Sequence, residues 1–367
     1  MTAAEPAPRP GIVMVTGMIA KTLRILGVVF ALVLLLVAYN VLRHLVFWGT
    51  TETVTFDSGE ISLVGTFAKP DGEGPFPAVV VLLGSGPETR SGPAYRINAA
   101  NMLRHGFAVL IFDKRGSGDS GGTFETATFA EFAADAKAAV HYLAGRKDVN
   151  ENEIGLLANS ESGWYSAQVA AETQQVAFVI NRVGPPLPWR DTVIWEVRNE
   201  LMDTGIAEPD IETLLAATER RWRFYAKVGN DPSLSDDPER EAINAELAHL
   251  RRSVPLADEV LPEKVRNYDA DFYRSYAIDA TYDPDLFLRQ LDIPLLYVFG
   301  GRDVNVPTER SVAYLELLRT DYSGIIDIKV YPQLGHSMAT WNGVFHGGYP
   351  PDYLSYVGKW AQSHIAR

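Results

Sequence analysis

The chain has 367 residues, 47% of them apolar and 22% charged, with a formal net charge of −13. That length and composition fit one large α/β domain or two smaller ones and exclude a mainly disordered chain. Beyond position 50 the balance is 29 basic against 45 acidic residues, which repels phosphate backbones and makes nucleic acid an unexpected partner. The absence of cysteine removes disulfides, thiolate nucleophiles, cysteine-based zinc sites and a lipoprotein-type anchor.

Residues Ile25 to Leu42 form 18 consecutive uncharged positions. As a helix they would reach about 27 Å, close to the hydrocarbon thickness of a bilayer. A cleaved signal peptide would want a shorter apolar stretch and an Ala-x-Ala-like site, which is not evident near Ala38. A buried core helix would want a polar face, and none is visible. The expectation is a single membrane-spanning helix within residues 1–50, with Tyr39 and Trp48 near the interfaces. Arg9, Lys21 and Arg24 precede it and only Arg43 closely follows. The positive-inside rule then puts the N-terminus in the cytoplasm and the large body outside it.

The soluble part opens with two alternating runs, Thr51–Phe56 and Ile61–Phe67, that read as a hairpin. Ala78–Leu83 is continuously apolar, as expected of a strand buried on both faces. A helix (about 93–104), a strand (108–112), a helix (about 128–144), a strand ending at Ala158, a helix and a strand (176–180) follow. This alternation predicts a mostly parallel sheet with helices on both faces. It stops at Pro185-Pro186-Leu187-Pro188. Residues 187–291 read as helices without a strand, with helical spacing over 191–203, 210–228 and 237–252. Strands resume at 295–299 and 325–331, with helices from Thr308 and Asp352. The expected division is anchor (1–50), α/β core (51–186), helical lid (187–291) and α/β core resumed (292–367).

The most informative residues are Ala158-Asn159-Ser160-Glu161-Ser162. A strand precedes them and a helix follows, the context in which a sharp turn exposes a nucleophilic serine. Small residues are needed two before and two after that serine. Ala158 and Ser162 meet the need around Ser160; a nucleophile at Ser162 would put Trp164 in that position, so Ser160 is the candidate. A serine hydroxyl needs a base, and the base needs an orienting acid. In open α/β sheets such groups gather beyond the carboxyl ends of strands. Asp303 follows the strand ending at Phe299, whereas Asp292 lies at its wrong end. His336 follows the last strand; His346 is the reserve, and His364 reads as a surface residue of the terminal helix. Oxyanion donors should be backbone amides: Glu161, next to the serine, and Ser85 in Gly84-Ser85-Gly86-Pro87. Trp164 and Trp341 are candidates for the substrate pocket wall. Most other aromatics of the helical block should pack it against the body, with some free to line an apolar acyl pocket.

Competing motifs are weaker. Gly116-Ser117-Gly118-Asp119-Ser120-Gly121 matches a dinucleotide fingerprint formally, but no helix starts at once and the next strand lacks the required terminal acid. There is no Gly-Lys-Ser/Thr phosphate loop and no His-Glu-x-x-His, and the seven histidines are dispersed. The acidic loop Asn230–Asp237 lacks the Gly and terminal Glu of a calcium loop. No cofactor or metal is expected.

Together these residues resemble the α/β-hydrolase superfamily, and its bacterial esterase and dienelactone-hydrolase-like members most closely, over about 51–367. The order Ser160, Asp303, His336 is the triad order of that fold. Gly84-Ser85-Gly86-Pro87 looks like its oxyanion loop, with Leu83 where many members have histidine. Asp113–Ser120 resembles the turn after its fourth strand, and Val183-Gly184-Pro185 the loop after its sixth. Ala158 and Ser162 depart from its elbow glycines, and the lid matches no named relative. The resemblance implies an eight-stranded, mostly parallel sheet with an antiparallel second strand; the residues themselves place the helical lid before the seventh strand. It implies a serine hydrolase that cleaves a small-molecule carboxylic ester through an acyl-enzyme. An acyltransferase, a peptidase with the same triad, or a catalytically silent binding protein are the alternatives.

Overall fold

The computed structural model describes residues 10–343 and 345–365. Eight strands form one sheet: β1 (Thr50–Ser58), β2 (Ile61–Lys69), β3 (Phe76–Leu82), β4 (Ala108–Phe112), β5 (Val149–Asn159), β6 (Val176–Arg182), β7 (Leu295–Gly300) and β8 (Ile326–Tyr331). Their order is β1-β2-β4-β3-β5-β6-β7-β8. β2 pairs antiparallel with β1 and β4, and every other pairing is parallel. The expected sheet, with its reversed second strand, is therefore the observed one.

The helices are α1 (Pro10–Leu45), α2 (Pro93–Arg104), α3 (Phe129–Ala144), α4 (Ser162–Glu172), α5 (Trp189–Asp203), α6 (Glu208–Asn230), α7 (Pro238–Ser253), α8 (Ala257–Val260), α9 (Ala270–Asp279), α10 (Asp285–Leu288), α11 (Thr308–Arg319) and α12 (Tyr353–Ser363). Period-two burial explains why β3 reads as an unbroken apolar run. Ala78, Val80 and Leu82 pack into the core on one face, with α3 and α4, while Val79 and Val81 pack into the core on the other, with α2 and α12. Helix α3 starts where a capping box tells it to: the Glu131 amide donates to Thr128 Oγ1 at 3.3 Å and the Thr128 amide to Glu131 Oε2 at 2.9 Å.

Between β6 and β7 the chain forms only helices, α5 to α10. Most of this insertion has its own core, built on Leu214, Phe224, Ile243 and Leu247. One bond to the body comes from Asp279 at the end of α9, whose Oδ1 accepts from the Phe129 amide at the start of α3, 3.0 Å away. Burial, and the nearby carboxylates of Glu161 and Glu131, push the Asp279 carboxyl up to about 7 against the opposing pull of the Phe129 amide.

Among the described residues one helix is long and apolar enough to cross a membrane, over Lys21–Leu45. Its apolar side chains, such as Phe30 and Leu35, face outward on all sides. Its last turn is joined to the body. Arg104 donates to the Arg43 carbonyl at 3.2 Å and Arg96 to the Leu45 carbonyl at 3.3 Å, which satisfies acceptors that a helix end leaves open. The Arg96 guanidinium also lies 4.4 Å from the centre of the Phe47 ring.

The raised pKa of Asp279 makes a pH test. In the native state the carboxyl holds its proton up to about pH 7, whereas the unfolded chain releases it near pH 4. Wild-type stability relative to Asp279→Asn therefore falls as pH rises from about 4 to about 7 and changes no further above that. Urea unfolding of the two proteins across this range reads the difference; a gap that is constant with pH rejects the assignment.

Candidate active site

β5 ends at Asn159 and α4 begins at Ser162, so the chain reverses direction over two residues. Ser160 takes up that reversal with φ of +52°, in the left-handed region that non-glycine residues rarely occupy. Three hydrogen bonds hold the turn. The Ser160 amide donates to the Arg182 carbonyl at 2.9 Å and the Gly163 amide to the Ser160 carbonyl at 2.8 Å. The Asn159 amide donates to Ser162 Oγ at 2.6 Å. Ser162 is thus both the small residue that the turn needs and a polar clamp inside it. The closest backbone approach falls one residue later: a Cβ on Gly163 would sit 2.4 Å from Gly184 Cα.

His336 follows β8 and Asp303 follows β7; His336 reaches Ser160, and Asp303 reaches the far side of the imidazole. His336 Nε2 lies 2.8 Å from Ser160 Oγ. His336 Nδ1 lies 2.9 Å from Asp303 Oδ2 and 3.1 Å from Oδ1. Asp303 is buried, and its Oδ1 accepts from the amides of Asn305 and Val306, each at 2.9 Å. These amides fix the carboxylate plane. The carboxylate accepts from Nδ1–H of the ring, leaving Nε2 free to accept from the serine hydroxyl.

A cavity of about 400 Å³ opens over Ser160 and His336. Ser85, Glu161 and Trp164 line it too. Among the described residues the Ser85 and Glu161 amides donate to no protein acceptor. Trp164 is buried, and its Nε1 donates to the Leu187 carbonyl at 2.9 Å, which holds the indole at the entry to the insertion. Trp341 is not part of the wall. It sits in a short 3-10 turn, Trp341–Gly343, is 94% exposed and does not reach the cavity. Met338 explains the departure: its φ of +58° turns the chain just past His336, and its own side chain is buried. The wall is built instead by Tyr95 on α2, by Thr192 and Glu196 one helical turn apart on α5, and by Asn305 and Val306.

Buried polar residues that the motifs did not single out brace this site. Lys114 is 3% exposed. Its Nζ donates to Glu161 Oε1 at 2.6 Å and to the Gly84 carbonyl at 3.0 Å, and it lies 4.2 Å from the centre of the Phe132 ring. One ammonium therefore links the residue after the serine to the loop that presents Ser85. Burial pushes the Glu161 carboxyl up from its usual range, against the pull of Lys114. The Tyr95 hydroxyl accepts from the Gly84 amide at 3.1 Å, fixing the other face of the same loop. Arg182, at the end of β6, donates to the Ser337 carbonyl at 2.6 Å and steadies the loop that carries His336. The glycine-rich turn after β4 is filled by protein: a Cβ on Gly116 would meet the Phe124 amide at 2.3 Å, and one on Gly118 would meet the Asp113 carboxylate at 2.4 Å. Among the described residues no group of three or more acidic or histidine side chains could hold a metal ion.

Comparison with known proteins places this architecture. Esterase EstD of Thermotoga maritima is 26% identical over 325 residues, covering 85% of this chain and 67% of that one. The α/β-hydrolase GrgF from Penicillium sp. sh18 superposes with a TM-score of 0.56 at 18% identity, covering 87% of this chain and all of the other. The Pyrococcus furiosus esterase PF2001 gives a TM-score of 0.55 at 15% identity, over 88% of this chain and 94% of that one. The fold is thus the α/β-hydrolase fold and the chain a serine hydrolase; residues 59–329 match the family described as X-Pro dipeptidyl-peptidase (S15 family), and the chain belongs to that family.

Proposed function

We propose that this protein cleaves carboxylic esters through an acyl-enzyme. His336 Nε2 removes the proton of Ser160 as Oγ attacks the carbonyl carbon, and Asp303 holds the imidazole and offsets its developing charge. The amides of Ser85 and Glu161 receive the oxyanion. His336 then returns the proton to the leaving alcohol, and water resolves the acyl-enzyme by the same relay. The single observation that carries this reading is the unbroken path from Ser160 Oγ to His336, 2.8 Å, and from His336 to Asp303, 2.9 Å. Likeness to an esterase of Thermotoga maritima favours esters as substrates. The family match favours a second reading, in which the same relay cleaves a peptide bond.

In this reading the helical insertion, residues 187–291, is a lid whose helix α5 closes one side of the cavity with Thr192 and Glu196. Residues 51–186 and 292–367 make up the catalytic core. The apolar N-terminal helix is a single-pass membrane anchor with the catalytic body on the extracytoplasmic side. Lys114 is a positioning residue. It holds the Gly84–Ser85 peptide against the serine turn, so that both amides face one oxyanion.

A fluorophosphonate probe is expected to label the wild type and not Ser160→Ala. With a short-chain p-nitrophenyl ester, His336→Ala lowers kcat/KM by roughly 10³-fold or more, and Asp303→Asn by roughly 10²- to 10⁴-fold. Equal labelling of wild type and Ser160→Ala rejects the nucleophile. Rates on an X-Pro p-nitroanilide against those on the ester separate the two substrate readings.

For the buried ion pair, Lys114→Met leaves the Glu161 carboxylate without its cation. Unfolding stability is expected to drop by roughly 3 kcal/mol. Lys114→Met with Glu161→Gln recovers much of that loss, because no uncompensated charge remains. Denaturant unfolding of the four proteins in the cycle measures the coupling; additive losses contradict a direct pair.

A further inference from the structure

We propose that the helical insertion contains a second binding site, separate from the Ser160 cavity, for a small organic carboxylate with a flat apolar body. The site is a cavity of about 480 Å³ between α6 and the start of α9, within the size range of small-molecule pockets. It shares no lining residue with the cavity over Ser160.

Its lining combines two chemistries. Trp222, Tyr268, Phe272 and Tyr276 supply an aromatic wall, with the Tyr268 and Phe272 rings stacked at 3.8 Å between centres. Arg221 and Arg266 supply two guanidiniums. Among the described residues neither side chain forms an ion pair with an acid. Elsewhere in the insertion Arg190, Arg198, Arg220 and Arg274 each have a carboxylate partner, Arg240 and Arg251 bond to carbonyl oxygens, and Arg223 and Arg252 are exposed; Arg221 differs from all of these in having a buried Nε without a partner. A buried guanidinium nitrogen without a partner, with a second unpaired arginine at the same cavity, suits an anion from outside the fold. Glu259 also lines the cavity but is exposed and bonds to neither arginine.

Two atoms point the same way. Arg221 Nε and the Tyr276 hydroxyl are both buried and without a hydrogen-bond partner. Buried donors are normally paired, and a guanidinium cannot shed its charge to avoid the penalty. Burial works against the charged form of Arg221, and the neighbouring Arg266 adds to that. Water could occupy the two donors, but only an anion also neutralises the two cations. A carboxylate fits a guanidinium fork with two parallel bonds, and the stacked rings accept a planar hydrocarbon body. Trp222 and Tyr276 connect this cavity toward the body, since both pack against Trp189 at the start of α5.

The test is calorimetric titration of the full chain in detergent with 2-naphthoate and with its neutral analogue, 2-naphthamide. Saturable binding of the acid is expected, at least about tenfold tighter than the amide, as a charge-assisted bond requires. Arg221→Met and Arg266→Met should each weaken the acid by about tenfold and leave the amide nearly unchanged. Arg221→Lys, which keeps the charge, should retain part of the preference. Arg266 is exposed, so its variant stays informative if Arg221→Met fails to fold. Ser160→Ala should bind the acid as wild type does. Absence of saturable binding, equal affinity for acid and amide, or unaltered acid binding in folded Arg266→Met would overturn the proposal. So would loss of binding in Ser160→Ala, which would place the ligand at the serine instead.

Discussion

The left-handed backbone at Ser160 is the constraint on which the rest of the site depends. A strand and a helix can meet over two residues only if one residue between them adopts a conformation of high energy, on the order of 1–3 kcal/mol for a non-glycine residue. The surrounding structure has to hold it there. Ser162 does so from within the turn, and the contact of Gly163 with Gly184 lets α4 lie close against the end of β6. Val183 and Met338 also have positive φ, and each adjoins the loops that frame the serine. Three of the four non-glycine residues with positive φ among the described residues thus lie at the carboxyl ends of the strands, and the fourth, Leu256, lies in the helical insertion.

Three consecutive residues after β4 secure that rim. Asp113 accepts from the amides of Arg90 and Asp119. Lys114 links the serine turn to the Gly84 loop. Arg115 grips Asp135 on α3 through two bonds, at 2.7 and 2.8 Å. The three residues just before the glycine-rich turn are thus a hub of buried charge tying two loops and a helix together. Pairs of this kind add little net stability compared with well-packed apolar groups. Their contribution is to geometry, because each fixes one donor or acceptor relative to another.

Much of the sheet was legible in the sequence because burial on both faces leaves a plain signature, as in Val79–Leu82 and Val109–Phe112. The positions of Asp303 and His336 followed from a topological rule: functional groups collect where parallel strands end. That rule specifies which strand end a residue sits on, and the structure shows in addition that His336 reaches the serine and Asp303 reaches His336. The cavity wall was less legible. Trp341 is near His336 in sequence, but one residue with positive φ, Met338, sends the chain outward between them. Tyr95, Lys114 and Arg182 were not singled out because a buried polar side chain has no periodicity of its own. Its partner is set by tertiary packing, as when Lys114 meets Glu161 across 47 positions. One signal was available: Thr192 and Glu196, four residues apart at the start of the insertion, share a helix face.

The join between α1 and the body has a mechanical consequence. Arg96 and Arg104 bond to the last carbonyls of that helix, and Leu45 and Phe47 pack against the core beneath it. No slack tether separates the two parts. The body is therefore joined to the helix end through side chains as well as through the chain itself. The direction in which the helix leaves the body is thus set by the same arginines that close its last turn.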